Sequence, residues 1–397
     1  MAHILTLNAG SSSIKFALFE AATALTLCVR GQVEGLGAEP HLQAERAGAP
    51  RVDQTLGAAE AADHASALKT VLAFLENEFG AIAIKAVGHR IVHGGIDYSE
   101  PVVLDDRALG CLERLNPLAP LHQPHNLSGV RAAHAAFPAA LQVACFDTAF
   151  HRQHPFVSDV YALPRELYEQ GIRRYGFHGL SYEYVTGHLR EIAPMHASGR
   201  LVVAHLGNGA SMCAMRGGHS VGSSMGFTAL DGLPMGTRCG QLDPGVVLYL
   251  LQKGLSAREV EDLLYKHSGL KGLSGLSHDM RALEAAGTPE ARQAIDYFVF
   301  RTRRELGAMA AILSGLDALA FCGGIGENAW RIREKICAGF EWLGIELDET
   351  CNQKGATVIS SDRSRVRVFV VHTDEETMIA RHTARLLATA HKSSLAA

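Results

Sequence analysis

The sequence predicts an α/β protein built from two related domains, and three observations carry that expectation. A strand, small-residue turn, strand device opens the chain and recurs near its middle. Short apolar runs of strand length alternate with longer helical stretches through the rest. The chain has 397 residues, more than one hydrophobic core usually organises, so two units of roughly 200 residues each are expected.

Taken in order, apolar residues at Ile4, Leu5 and Leu7 give way to Asn8-Ala9-Gly10-Ser11-Ser12-Ser13, then resume at Ile14, Phe16, Leu18 and Phe19. That is a hairpin pattern. A third strand is expected over residues 25–33, an Ala-rich helix over 58–79 and a buried strand over 86–92. Helices over 106–115 and 126–137 and a strand over 141–146 complete one mixed unit. The second begins after Asp147, where Leu201 to Leu206, a Gly207-Asn208-Gly209-Ala210-Ser211 turn and a strand over 212–216 repeat the opening device. Helices over 257–265 and 289–313 follow, then a buried strand over 318–322, a Gly-rich turn and a helix over 329–340. A strand over 366–371 leads into a last helix from Glu375. No Pro- or Ser-rich linker separates the units, so the repeat alone places the boundary between 146 and 147.

Composition narrows the function classes. Hydrophobic residues make up 47% and charged ones 20%, the balance of a globular protein. The net charge of −4 arises from 37 basic and 41 acidic residues without long like-charge blocks, so neither nucleic acid nor a membrane is an expected partner. No basic leader precedes an apolar stretch at the start, and no apolar run is long enough to cross a bilayer. A cytoplasmic location is expected. The eight cysteines are scattered with no CxxC pair, which fits reduced, mostly buried packing residues.

The polar residues among these strands suggest phosphate chemistry. Turns of Gly, Ser and Asn expose backbone N–H groups without bulky side chains; each of the two turns alone is equally an ordinary hairpin turn. Occurring as a pair, one from each half, they suit a polyphosphate gripped from both sides of an interdomain cleft. Gly323-Gly324-Ile325-Gly326-Glu327-Asn328 adds a strand–turn–helix junction, where a helix N-terminus favours anions. It is not the dinucleotide fingerprint, and no GxxxxGK[ST] occurs. Arg90, in Gly88-His89-Arg90-Ile91-Val92-His93-Gly94-Gly95, and Arg238, in Met235-Gly236-Thr237-Arg238-Cys239-Gly240, sit where an anion must meet them. Their forks suit a carboxylate or phosphate, or a structural ion pair. His122, His178 and His205 flank Gly or Pro breaks and suit donation to a phosphoryl oxygen, or a structural role. Asp147 and Glu375 with Glu376 follow strand ends and suit Mg2+; the Glu pair also suits the dipole of the last helix.

Read together, Asn8 to Phe16, His89 to Gly95, Phe146 to His151, Arg174 to Gly179, His205 to Gly209, Gly232 to Gly240, Gly323 to Asn328 and Thr373 to Glu376 resemble the successive blocks of the acetate kinase family, in order from residue 4 to about 381. The resemblance implies two related domains of the sugar kinase/Hsp70/actin (ribonuclease H-like) type with an interdomain ATP cleft. The N-terminal domain would span 1–146, joined by the C-terminal helix 377–397, and the nucleotide-binding domain 147–376. It further implies a homodimer that reversibly makes acetyl phosphate and ADP from acetate and ATP, with Mg2+, or Mn2+ in its stead. By the same resemblance ATP meets Ser11, Ser13, Lys15, His205, Leu206, Gly207, Asn208, Gly209, Gly323, Gly324, Ile325, Gly326 and Asn328. Arg90 and Arg238 hold the carboxylate and the transferring group, with His178 and His122 in support. Asn8, Asp147 and Glu375 organise metal and phosphates. Val92, Leu121 and Phe177 line the acyl pocket.

Direct in-line transfer is expected, because a carboxylate is already a nucleophile at neutral pH and needs charge neutralisation rather than a base. Four positions depart from the family pattern: Ile96 for Glu, Gln241 for Asp, Asp374 for Asn, and Ala229 for a Pro near the acyl pocket. The last widens the pocket and makes propionate a competing substrate, at a discrimination of about 1–3 kcal/mol per methylene. The alternative of another class is a catalytically silent nucleotide-binding protein on the same fold.

Overall fold

Alternation of apolar and polar residues makes the opening segment a hairpin: β1 (His3–Ala9) pairs antiparallel with β2 (Ser13–Ala21), Leu7 opposite Phe16 and Asn8 opposite Lys15. A computed structural model describes residues 2–10, 12–21 and 25–395, with side chains through 390. Ser11 therefore lies outside the described residues. The chain divides into two compact units, one of residues 1–149 with 374–397 and one of residues 150–373.

The first unit is built on a sheet of eight strands. Beyond the hairpin come β3 (Leu25–Glu34), β4 (His41–Glu45), β5 (Val52–Thr55), β6 (Ile84–Ile91), β7 (Val102–Val103) and β8 (Leu141–Phe146), in the spatial order β5-β4-β3-β2-β1-β6-β8-β7. β1, β6 and β8 run parallel, so their C-terminal ends share one edge. Leu5, Leu7, Phe16, Leu18, Val71, Leu75 and Val87 form the main core beneath the helix His64–Phe79. The last helix, Glu375–Leu395, returns to this unit. It crosses β6 so closely that a Cβ at Gly88 would stand 2.3 Å from Thr383 Oγ1. Only a glycine fits there.

The second unit repeats the design with β9 (Arg200–Leu206), β10 (Ala210–Arg216), β11 (His219–Ser223), β12 (Ala318–Cys322) and β13 (Arg367–Val370), ordered β11-β10-β9-β12-β13. In both units three antiparallel strands continue into two parallel ones: β3-β2-β1-β6-β8 here matches β11-β10-β9-β12-β13 there. The repeated hairpin noticed in the sequence is thus the visible part of a repeated sheet. Leu201, Val203, Cys213, Met215, Ala320 and Phe369 pack with Tyr182, Val185 and Leu189 of the helix Gly179–Ile192.

Several sequence boundaries need correction. The Ala-rich helix starts at His64, not Ala58, because Asp63 caps it: its Oδ1 accepts from Ser66 N at 2.8 Å while Asp63 N donates to Ser66 Oγ at 2.9 Å. Residues 58–61 form a separate 3-10 turn. The helix expected from Asn126 starts at Gln123, since Pro124 suits a first turn. Gly323–Asn328 is itself a six-residue helical turn, and the following helix is Trp330–Cys337 rather than 329–340. β4 and β5 escaped notice because β4 turns only Leu42 and Ala44 inward and β5 has no buried residue. All eight cysteines are free; Cys145, Cys213, Cys322 and Cys337 are buried and the rest half-buried. Among the described residues no helix is long and apolar enough to cross a membrane.

Candidate active site

Parallel strands direct the first cluster. Asn8 lies near the end of β1, Arg90 near the end of β6, Asp147 just beyond β8, and Glu375 opens the last helix. Ligands of α/β sheets gather at such C-terminal ends. Arg90 Nε donates to Asp147 Oδ1 at 3.0 Å and Nη2 to Oδ2 at 2.6 Å. Nη1 reaches Asn8 Oδ1 at 3.4 Å, and Glu375 Oε2 lies 3.6 Å from Nε. Asp147 is 1% exposed. Burial pushes its carboxyl up, and the Arg90 charge draws it back; the two-armed geometry is that of an ionised carboxylate. Burial works against the Arg90 charge too, but Asp147 and Glu375 outweigh it and hold the guanidinium protonated. Glu376 beside them is pushed up by burial and by Glu375.

A scaffold that the sequence did not announce holds the neighbouring backbone. Asn126 spans two strands, its Oδ1 accepting from Val92 N at 3.0 Å and its Nδ2 donating to Ala9 O at 2.6 Å. Gln123 both accepts from His93 N at 3.2 Å and donates to His93 O at 3.0 Å, and Thr148 Oγ1 accepts from Gly94 N at 3.0 Å. The only sequence signal was that amides sat on the apolar face of a helix. Val92 is buried, while Leu121 and His122 are half-buried in the turn entering that helix. At the hairpin tip Gly10 N donates to Ser13 O at 2.8 Å; Ser13 is half-buried and Lys15 exposed.

The second cluster gathers on the β9–β10 tip. Gly207 N donates to Gly209 O at 3.0 Å, making the turn, and Gly236 N donates to Asn208 O at 3.0 Å, docking the Arg238 loop upon it. A Cβ at Gly209 would stand 3.0 Å from Arg238 Nη2 and 3.1 Å from His178 Nε2. Arg238 Nη2 and His178 Nε2 therefore both lie against one small-residue position. Arg238 is steadied by Nη1 donating to Ala229 O at 2.7 Å. His178 holds a left-handed backbone, φ 58° and ψ 24°, uncommon without glycine and frequent at functional positions. Its Nδ1 meets Ser211 Oγ at 2.8 Å, and its ring stacks on His205 at 4.2 Å. His205 Nδ1 meets Ser181 Oγ at 2.8 Å. Phe177 is buried.

Gly323, at φ 75°, lies against the tip, where a Cβ would stand 2.8 Å from Leu206 O. Glu327 Oε1 accepts from Gly323 N at 2.9 Å and Thr373 N at 3.1 Å. Arg333, 1% exposed and with no carboxylate partner among the described residues, donates from Nη1 to Gly326 O at 2.9 Å and Glu327 O at 2.8 Å. Its remaining donors go to Asn352, Nε to Oδ1 at 2.9 Å and Nη2 to the backbone O at 2.6 Å. A buried cation thus satisfies the carbonyl end of the short helix. Gly207, Asn208, Gly324, Ile325 and Asn328 line one wall of a 520 Å³ cavity, the size of a small-ligand site. Asp279, Arg281 and Glu284 line another wall, and the sequence reading missed them. Asp279 is held down at about 2 by Arg281 and by the helix N–H groups it caps.

Of the departures, Gln241 Oε1 accepts from Arg301 Nη2 at 2.9 Å and also from Arg304, and Asp374 pairs with Arg30 at 2.7 Å. Ile96 is exposed. Among the described residues no three His, Cys, Asp or Glu side chains converge as a metal cage.

Fold and site together define a two-unit α/β protein of the kind seen in small-acid kinases. The structure of Porphyromonas gingivalis acetate kinase matches with a TM-score of 0.87 at 39% identity, covering 98% of this chain and 100% of that one. A Francisella tularensis propionate kinase matches with a TM-score of 0.90 at 37% identity, covering 97% and 100%. The chain belongs to the Acetokinase family, whose profile matches residues 3–381. Among relatives, the acetate kinase of Methylocella silvestris is 60% identical over 394 residues, 97% of this chain and 98% of that one. That of Nitrobacter hamburgensis is 53% identical, covering 100% and 98%.

Proposed function

We propose that this chain is a reversible ATP:acetate phosphotransferase, forming acetyl phosphate and ADP by direct in-line transfer. The observation that carries the reading is the convergence of His178 Nε2 and Arg238 Nη2 on Gly209, next in sequence to Gly207 and Asn208, which line a nucleotide-sized cavity. Relatives named acetate kinase at 60% and 53% identity favour acetate.

In this reading the cavity takes the nucleoside, with Asp279 and Arg281 at its wall. Backbone N–H groups of Asn208, Gly209, Gly324 and Ile325 meet the phosphates, with Gly207, Gly323 and Gly326 leaving room for them, His205, Leu206 and Asn328 beside them and Ser11, Ser13 and Lys15 contributing from the first hairpin. Arg238, His178 and His122 neutralise the transferring group, and Arg90, oriented by Asp147, receives the carboxylate. Val92, Leu121 and Phe177 face its methyl. The nucleophile needs no base, so alignment and charge cancellation supply the rate.

Mg2+, or Mn2+, fits the oxygens of Asn8 and Glu375. With no converging set of three ligands among the described residues, the ion would keep waters and phosphate oxygens, the habit of Mg2+. When bound it neutralises phosphate charge. Exposed apolar side chains on the second unit, among them Leu248, Tyr249 and Phe300, support a homodimer, and the absence of a spanning helix among the described residues is consistent with a cytoplasmic enzyme.

The test traps acyl phosphate as hydroxamate with ATP and Mg2+, comparing acetate, propionate and butyrate by kcat/KM. Acetate ahead supports the assignment. Propionate ahead would move it to propionate, with the Ala229 pocket as the reason; no product from any acid would sink it.

A further inference from the structure

We infer that His151 is a positioning residue for His178, acting through a directional chain of buried hydrogen bonds. The inference rests on the reading of His178 as a donor to the transferring phosphoryl group.

The proton inventory follows from one fixed acceptor. His151 Nε2 lies 2.9 Å from the carbonyl oxygen of Phe177, which only accepts, so Nε2 carries the hydrogen. The ring is wholly buried, and burial lowers its pKa to about 4, so it is neutral and Nδ1 must accept. Its partner is Ser220 Oγ at 2.8 Å; the Ser220 hydroxyl therefore donates to His151. The Ser220 oxygen is left to accept, and two donors reach it: His154 Nε2 at 2.6 Å and Cys213 Sγ at 3.1 Å. His154 Nδ1, buried without a partner, is then a bare acceptor, consistent with a neutral ring. Every proton in the chain His154, Ser220, His151, Phe177 has one place.

What this chain fixes is the peptide between Phe177 and His178, immediately before the left-handed residue. That conformation is unfavourable for a residue with a Cβ and persists only where its surroundings enforce it. The approach is tight as well, since a Cβ at Gly176 would lie 2.6 Å from the His151 ring. Ser211 holds the His178 side chain; His151 holds its backbone. Loss of the Phe177 bond frees the peptide to rotate, and a small rotation displaces Nε2 from its place beside Gly209.

The experiment measures acyl phosphate formation by the full-length protein carrying His151→Leu, His151→Gln, Ser220→Ala, His178→Ala, and His151→Leu with His178→Ala. Expected is a kcat lower by about tenfold in His151→Leu with KM for ATP within about twofold. His151→Gln, whose amide N–H can still donate to Phe177 O, recovers most of that loss. In the His178→Ala background, His151→Leu costs less than about twofold. Multiplying losses, an equal fall in kcat and ATP affinity, or no recovery by Gln would overturn the inference. Full kcat in His178→Ala would instead overturn the reading of His178 itself. Should His151→Leu not fold, Ser220→Ala carries the test: a fall in kcat at constant KM supports the chain, and wild-type kcat overturns it.

Discussion

Arg90 grips both oxygens of Asp147, with Nε 3.0 Å from Oδ1 and Nη2 2.6 Å from Oδ2. One guanidinium edge is thus spent on a carboxylate that is almost fully buried, leaving Nη1 toward Asn8. Removing the arginine strands a buried negative charge, so Arg90→Ala is expected to lose about 3 kcal/mol of stability in urea unfolding at pH 7. Adding Asp147→Asn should return part of it, because the stranded charge goes. Additive losses in the double variant would show that the pair is not coupled.

Asp147→Asn alone tests orientation rather than burial. The amide accepts through one oxygen only, and Arg90 is left free to swing toward Glu375 at 3.6 Å. The expected result is a kcat/KM for acetate lower by about a hundredfold, with ATP affinity little changed. Unchanged acetate kinetics would deny Asp147 an orienting role.

Gly209→Ala places one methyl against both Arg238 and His178. Its carbon would sit 3.0 Å from Arg238 Nη2 and 3.1 Å from His178 Nε2, closer than van der Waals contact, so one of them must move. A fall in kcat of about tenfold or more is expected, with a melting temperature close to wild type because the strands are untouched. A variant with full kcat would show that these two side chains do not act on the transferring group.

These residues differ in how far the sequence revealed them. Asn8, Arg90 and the Gly-rich tips stood out because a polar residue or glycine interrupts or ends an apolar strand, and His178 and Arg238 because each sits among glycines; such features need a cause. The sheet repeat was legible only at its hairpins, since a hairpin is local while β12 beside β9 is a pairing between residues more than a hundred apart. Asn126, Gln123 and Asp279 were not legible: each looks like an ordinary helix residue until the backbone it bonds is in view. Gly323–Asn328 read as a turn because three glycines disfavour helix; Arg333, from the following helix, supplies donors to its last carbonyls.

In the proposed reading Arg333 would therefore support nucleotide binding without lining the cavity. Arg333→Met fills much of the same volume but leaves the carbonyls of Gly326 and Glu327 and both Asn352 acceptors without donors. Unsatisfied buried acceptors cost about 1–3 kcal/mol each. The expected outcome is a lower melting temperature together with ATP binding weaker by about tenfold in calorimetry. Weakened stability with unaltered ATP affinity would separate Arg333 from the site.

Acid should destabilise the protein in a window set by buried histidines. His89 and His151 are held at about 4 by burial, and His154 at about 3 by burial, with His151 and Arg152 adding repulsion. In the unfolded chain a histidine titrates near 6.5. Between those values the unfolded state binds more protons, so stability rises with pH. The contribution is whole above about 6.5 and is lost as pH falls toward 4, by about 3 kcal/mol for a ring shifted that far. His89, which meets Gln142 Oε1 at 2.8 Å, offers the clean test because it lies outside the His151 chain. Urea midpoints measured from pH 7.5 down to 4.5 should fall for the wild type, and His89→Gln should fall less steeply. Equal slopes would mean that His89 enters the folded state as readily charged as neutral, which its burial beside a single amide oxygen forbids.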